Sequence, residues 1–429
     1  MSYKNTFCFC VIFLLTGCSI FPGQIGANQP SLLDQAATPL SPSASNPASP
    51  ETGEIATEIK PVTLVIWIPD NFSLRSGEQT QKMLMDRMDT FQKSHPDITL
   101  DLRYKNVKQY ENMLDLLNST SRVAPAVLPD IVLLTRKDME TAALKGLLAP
   151  LDSMESVADG NGIFPGFSLT GTLQGSLFGF PAAGDALVII SSTDKSNQMD
   201  TWTNVFSSGM KLGANFNDPD GTLFVTLYLS AGGKLIDDKG KPYLDPSTLT
   251  LLLDTMRQAR KSAVFPEWTL LTPDWSQVSD RFIAGDVPYQ INWYSSVSES
   301  AADSFQHSIL PGLGDTPATT LTGWYWASSN PAPAKQAARQ ELLGFLTEPA
   351  FGSPWSTTAG YLPVSDQYWP QSNVELLPFQ SILKISEPLP ENALMTTVGP
   401  VLRDAAIRAY TTDDPIEEIV TAAIARINQ

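Results

Sequence analysis

At 429 residues the chain is too long for one ordinary core, because domains run to ~100–200 residues, so two or more compact regions are expected. A hydrophobic share of 42% with 9% aromatics is that of a globular protein, and 28 basic against 45 acidic residues leave a net charge of −17, which repels phosphate backbones and disfavours nucleic acid as a partner. All three cysteines lie at or before Cys18, and the histidines are His95 and His307 alone; disulfides, thiolate metal sites, cysteine nucleophiles and His-rich metal sites are therefore excluded after that point.

Residues 1–17 read as a targeting segment, not as fold. Lys4 and the α-amino group give a positive start, and Phe7 to Leu15 is an apolar run too short to span a membrane as a mature helix. The run ends in Leu15-Thr16-Gly17-Cys18, which resembles the lipobox of bacterial lipoproteins. That resemblance implies a lipidated Cys18 as the first mature residue; an uncleaved anchor with an incidental cysteine is the alternative. From Ser19 to about Pro61 the chain is rich in Pro, Ser, Ala, Asn and Gln. Such a segment cannot bury enough surface to offset its ordering entropy, and it reads as a tether that keeps a domain anchored to a membrane without spanning it.

The folded part begins at Thr63–Ile68, a short apolar run of the buried-strand kind that breaks at Pro69-Asp70-Asn71. Leu84, Met88 and Phe91 at i, i+4, i+7 predict a helix over 78–93, stopped before Pro96. Ile98, Leu100, Leu102 and Tyr104 alternate as a strand, and Tyr110, Met113, Leu114 and Leu117 mark a helix. Asp130–Leu134 is a third strand, and a helix over 137–145 is closed by Gly146. This rhythm calls for a parallel sheet covered by helices on both faces. Phe180-Pro181 and Ala186–Ile190 predict two strands joined through the small-residue segment Ala182-Ala183-Gly184-Asp185, in the manner of a hinge crossover.

Helical segments follow at 201–210, 221–231 and 247–263. A helix with Phe282 and Ile283 on its apolar side then stops at Gly285, and a strand over 287–291 is expected to hand Asn292, Trp293 and Tyr294 to a loop. Gly323–Ala327 is an aromatic strand, 334–346 and 351–359 are helical, Gly360–Val364 is a turn, and final helices cover 399–410 and 415–427.

In this order the motifs resemble the extracellular solute-binding proteins of ATP-binding-cassette importers, family 1, which include maltose-binding proteins. The resemblance runs from Thr63 to Asn428 and rests on Phe91-Gln-Lys-Ser-His-Pro-Asp-Ile98, Leu128-Pro-Asp-Ile-Val132, Gly179-Phe-Pro181, Thr201-Trp202, Ala231-Gly-Gly-Lys-Leu-Ile236, Phe282-Ile-Ala-Gly285, Gly323, Leu343-Gly-Phe-Leu346 and Gly360-Tyr-Leu-Pro363. No single motif is specific; their order is. The resemblance implies a type II periplasmic-binding-protein-like α/β fold of two lobes, 62–183 plus about 327–375 and about 184–326 plus 376–429, joined by crossover hinge strands around a ligand cleft. It also implies delivery of a small solute to an ABC permease with its ATPase, by a monomer with no cofactor and no catalysis. The chain departs from the family after the crossover, where Ile190-Ser-Ser-Thr-Asp-Lys195 replaces an aromatic-Asn-Lys-Asp motif, and at the third strand, where Leu133-Leu134 then Thr135-Arg136 stand in place of an aromatic.

A sugar site needs flat apolar faces for pyranose C–H groups and planar polar groups for vicinal hydroxyls. The candidates are Asp70 and Asn71 (hydroxyl acceptors, or residues of a turn), Arg136, and Asp185 (a cleft carboxylate, or a solvated loop charge). To these are added Asn292, Trp293 and Tyr294, the crossover residues Trp324 and Trp326, and Tyr361, with Trp275 weaker. Alternation sends Trp324 and Trp326 to one face and Tyr325 to the other, so at least one of the two tryptophans is expected in the core. Met83, Met85 and Met88 are expected in the core, as is Trp67. The rival readings are a glycoside hydrolase using paired carboxylates in the cleft and a sensing or adhesion lipoprotein that imports nothing.

Overall fold

The computed structural model describes residues 61–428 apart from 73–76, 107–111, 155–159, 193–198, 298–304, 315–316, 319, 330–331 and 374–375. The targeting segment, Cys18 and nearly all of the tether lie outside these residues, as does Tyr110.

Strand β1 (Val62–Pro69) pairs in parallel with β2 (Ile98–Lys105) from Val62 opposite Ile98 to Pro69 opposite Lys105, and on its other side with β3 (Ile131–Thr135). Leu64, Ile66 and Ile68 enter one hydrophobic core while Trp67, of opposite parity, enters another, so both faces of this parallel sheet are covered. Helix α1 (Gly77–Ser94) lays Leu84, Met88 and Phe91 on the first of these cores. Met85, expected in the core, is 55% exposed because it falls off that face of the helix. α2 (Met113–Val123) and α3 (Arg136–Leu144) cover the other face. α3 follows β3 without a loop, because Thr135 caps it by accepting the Asp138 N–H at 3.2 Å.

The short strands β4 (Thr172–Leu173) and β5 (Ser176–Leu177) form a hairpin over Gln174 and Gly175, both at positive φ. Next comes a correction to the expected crossover: residues 179–192 form one unbroken strand, β6 (Gly179–Ser192), not two. The small residues that suggested a break serve close packing. A Cβ at Gly184 would lie 2.4 Å from the Phe167 ring, and Ala183 is fully buried. Pro181 is tolerated because the ladder to β10 (Thr320–Ser328) slips there: Trp324 faces Ala183 and Tyr325 faces Pro181, leaving Ala182 as a bulge. β6 serves two ladders, pairing with β10 through Gly179–Ala186 and with β8 (Tyr289–Trp293) and β9 (Phe305–Ile309) beyond them.

With β7 (Leu212–Gly213) beside β8 and β11 (Glu387–Pro388) beside β10, the main sheet among the described residues runs β2-β1-β3-β10-β6-β8-β7, with β9 and β11 off this path. β6 and β10 are thus the long central strands between the β1–β3 side and the β7–β9 side. On the latter side the largest core gathers the helices Thr222–Ser230, Pro246–Ser262, Asn392–Thr411 and Ile416–Ile427. The helix Asn392–Thr411 starts seven residues before the expected Gly399, since Met395, Val398 and Leu402 continue its buried face.

The helix Trp275–Ile283 ends as expected at Gly285, φ 83°, but Ile283 is 55% exposed and only Phe282 of the pair is buried. The following strand lies two residues later than predicted and takes in Asn292 and Trp293; Tyr294–Ser296 is a short 3-10 turn. Among the described residues no helix is long and apolar enough to cross a membrane.

Candidate ligand cleft

The cleft lies over the middle of β6 and β10 and the ends of β3 and β8, and encloses about 430 Å³. Its floor is a hydrogen-bonded carboxylate. Asp185, near the middle of β6 and 7% exposed, accepts the Ser295 hydroxyl at 2.5 Å, and its other oxygen accepts the backbone N–H groups of Ser295 and Ala186 at 3.2 and 3.0 Å. Tyr361 follows Gly360 (φ 86°) and buries its ring against Phe72, with centroids 5.3 Å apart. Burial, with Asp185 nearby, holds its phenol well above the ordinary tyrosine range, and hydrogen bonds with the Trp324 and Ser295 side chains offset part of that rise. The link from Trp324 through Tyr361 and Ser295 to Asp185 ties β10, the 360 turn, the 294 turn and β6 into one polar floor.

Two groups of aromatic rings flank it. Trp324 sits edge-on to Phe72 and Tyr361, at 5.3 and 6.3 Å. Trp275, at the start of its helix, meets Trp293 at 6.1 Å and 62°. All three tryptophans are partly exposed and line the cleft. A partly exposed indole beside a carboxylate is a surface for a ligand with one apolar and one hydroxylated face.

Charged groups close the mouth. Arg136, on the first turn of α3, donates from Nε to Glu140 at 2.7 Å and also bonds the Leu389 carbonyl; the second Glu140 oxygen accepts the Asn392 N–H at 2.7 Å. Lys137 reaches Asp220 at 2.6 Å, joining α3 to the turn before the helix Thr222–Ser230. Asp218, in the same turn, accepts the Thr222 N–H at 2.8 Å. Burial raises its carboxyl above the usual range, against the opposing pull of the Thr222 hydrogen bonds.

Of the residues singled out in the sequence, the structure brings Arg136, Asp185, Trp293, Trp324 and Tyr361 to this cleft, with Trp275. It does not bring the others. Asp70 lines a separate small recess with Tyr104 and Trp355, and Asn71 is exposed; the chain turns there to enter α1. Asn292 is fully buried because alternation along β8 points it away from Trp293, into the helix Trp275–Ile283. Tyr294 is buried against His307 and Phe379. Trp326 shares the face of Trp324 but lies deeper, stacked on Trp355 at 5.7 Å and 17°.

Sequence reasoning missed Lys137, Glu140, Asp218, Asp220 and Ser295. Asp218-Pro219-Asp220-Gly221 carried a signal, since that is turn chemistry in front of a helix. Glu140 sits four residues after Arg136 on one helix, a spacing that predicts their ion pair.

The profile of the family described as bacterial extracellular solute-binding protein matches residues 86–375. The chain belongs to this family. Solved structures share its fold at low identity. A maltose-bound MalE3 from T. maritima is 19% identical, with a TM-score of 0.63 over 86% of this chain and 99% of that one. A cyclic alpha-maltosyl-1,6-maltose binding protein from Arthrobacter globiformis is 19% identical, with a TM-score of 0.68 over 86% and 98%. A solute-binding protein from Thermotoga lettingae bound to alpha-D-tagatose is 17% identical, with a TM-score of 0.63 over 85% and 98%. No curated protein matches the sequence. The periplasmic-binding-protein-like α/β fold expected for this solute-binding protein is the one it has.

Proposed function

We propose that this solute-binding protein captures a carbohydrate in the cleft around Asp185 and passes it to the permease and ATPase of an ABC importer, without turning it over. The observation that carries the reading is that Trp275, Trp293 and Trp324 line one cleft together with Asp185 and Arg136. Indole surfaces cover sugar C–H groups, while a carboxylate accepts hydrogen bonds from vicinal hydroxyls and a guanidinium donates to their oxygens. Three of the structural relatives bind maltose, cyclic alpha-maltosyl-1,6-maltose and alpha-D-tagatose respectively, in line with this chemistry.

In the same reading the chain works as a monomer of two lobes, 62–183 plus about 327–375 and about 184–326 plus 376–429, closing about β6 and β10. It is anchored to the cell membrane on the extracytoplasmic side through a lipidated Cys18 and the Pro/Ser-rich tether. Tryptophan fluorescence titration of the purified protein with mono- and oligosaccharides tests it. A saturable shift, with the sugars recovered intact by chromatography, is the expected result; released shorter sugars would replace binding with hydrolysis.

A further inference from the structure

We infer that the cleft sorts sugars by charge, accepting neutral and amino sugars and rejecting acidic ones such as uronates and sugar phosphates. The inference rests on the carbohydrate reading of the same cleft and adds a substrate class to it.

The charged side chains lining the cleft are Arg136 and Lys137 against Glu140, Asp185, Asp218 and Asp220, two cations to four carboxylates. Both cations already have a carboxylate partner, Arg136 in a buried pair and Lys137 in an exposed one. Arg136 is held by Glu140 at 2.7 Å with its side chain 7% exposed, and it also bonds the Leu389 carbonyl. Lys137 is held by Asp220 at 2.6 Å. An acidic ligand would have to take a cation from Glu140 or Asp220, stranding that carboxylate, or sit among an excess of negative charge. Taking Arg136 from the buried Glu140, or sitting among the excess carboxylates, costs on the order of tenfold or more in affinity; Lys137, whose side chain is 56% exposed, changes that balance little.

A neutral sugar meets no such opposition, because its hydroxyls donate to the carboxylates without bringing charge. An amino sugar gains in addition: its ammonium balances the acidic excess and can rest over one of the three indoles lining the cleft. Burial already disfavours the ionised form of the Asp218 carboxyl, a strain that a nearby ammonium relieves. The net charge of −17 draws cations and repels anions on approach, in the same direction as the cleft.

The experiment is a competition series on the full-length protein in detergent, followed by tryptophan fluorescence. Matched hexose, hexosamine and hexuronic acid are compared in the gluco, galacto and manno configurations, with the corresponding disaccharides. The expected result is that for whichever configuration binds, the uronate is at least tenfold weaker than its parent and the amino sugar is equal to or tighter than it. Asp218→Asn should narrow the uronate gap by about threefold or more. A uronate that binds as tightly as its parent overturns the inference and leaves the carbohydrate reading standing. Binding of none of the sugars overturns the carbohydrate reading, and the inference with it.

Discussion

The side-chain amide of Asn292 donates to the backbone carbonyl of Trp275 at 3.0 Å, while its oxygen accepts the backbone N–H of Trp293 at 2.8 Å. One buried side chain therefore grips the backbones of both indoles that meet on the cleft wall. The same amide nitrogen is within 3.0 Å of the Ser279 hydroxyl and of the Gln290 carboxamide oxygen, so it is pinned from three sides. Asn292→Leu keeps the branched skeleton but leaves the Trp275 carbonyl, the Ser279 hydroxyl and Gln290 without this donor, a buried group costing about 1–3 kcal/mol when orphaned. The expected outcome is a stability loss of about 2–4 kcal/mol by urea unfolding and a changed tryptophan couplet in near-UV circular dichroism. A couplet identical to the wild type would show that the indole pair is oriented by packing alone.

Trp293 and Trp326 are the same residue type with opposite expected consequences. Trp293 is partly exposed on the cleft, whereas Trp326 is buried and stacked on Trp355. Trp293→Ala should weaken sugar binding by ~1–3 kcal/mol with little change in melting temperature. Trp326→Ala should cost ~3–5 kcal/mol of stability through the cavity it leaves. Paired calorimetric melts and fluorescence titrations check both. If Trp293→Ala binds like the wild type, that residue belongs to the scaffold.

The two tryptophan outcomes show how far a sequence carries. The strand–helix rhythm of 62–146 was legible because period and punctuation agree there: Leu84, Met88 and Phe91 mark a helix face, and Gly146 (φ 69°) closes α3. Trp293 and Asn292 were both visible as polar or aromatic residues at a strand end. Which of them faces ligand depended on where the strand began, and a shift from Val287 to Tyr289 placed both inside β8, on opposite faces. β6 was misread for a related reason. Ala182–Gly184 looks like a break in one dimension, yet it is the place where the chain must be thin for Phe167 and β10 to pack. Lys137 and Asp220 meet across 83 residues of sequence, a separation at which local pattern carries no information.

The turn bearing Asp218 and Asp220 is held at the mouth by a contact between two glycines. A Cβ on Gly399 would lie 1.9 Å from the Asp220 carbonyl, and one on Gly221, at φ 60°, would lie 2.2 Å from the Gly399 carbonyl. Arg403 clamps the same turn by donating to the Pro219 carbonyl at 3.3 Å. Gly399→Ala should therefore push the turn outward, cost about 1–3 kcal/mol of stability and weaken ligand binding together. Gly344→Ala is the control. Within its helix nothing lies within 4 Å of the added methyl, and it should stabilise by about 0.5–1 kcal/mol without touching affinity. Unfolding curves and titrations on the pair separate the close contact from a generic glycine effect.

Asp138 makes stability depend on pH in the opposite sense to an ordinary salt-bridged carboxylate. It sits at the third position of α3, its N–H bound to Thr135, and burial pushes its carboxyl up to about 6 from an ordinary 3.8. The Thr135 hydrogen bond and Lys137 oppose the rise, and Asp115 adds to it. Between those two values the folded chain holds a proton that the unfolded chain has released, so this group's contribution to stability is greatest below pH 3.8 and is lost as pH rises through about 6. Asp138→Asn removes the cost of burying the charge while keeping a polar side chain next to Thr135. It should stabilise the protein by about 1–3 kcal/mol at pH 7.5 and by much less at pH 4.5. Thermal melts of both proteins across that range check the sign; a variant less stable than the wild type at pH 7.5 would mean that the fold favours the ionised carboxylate instead of penalising it.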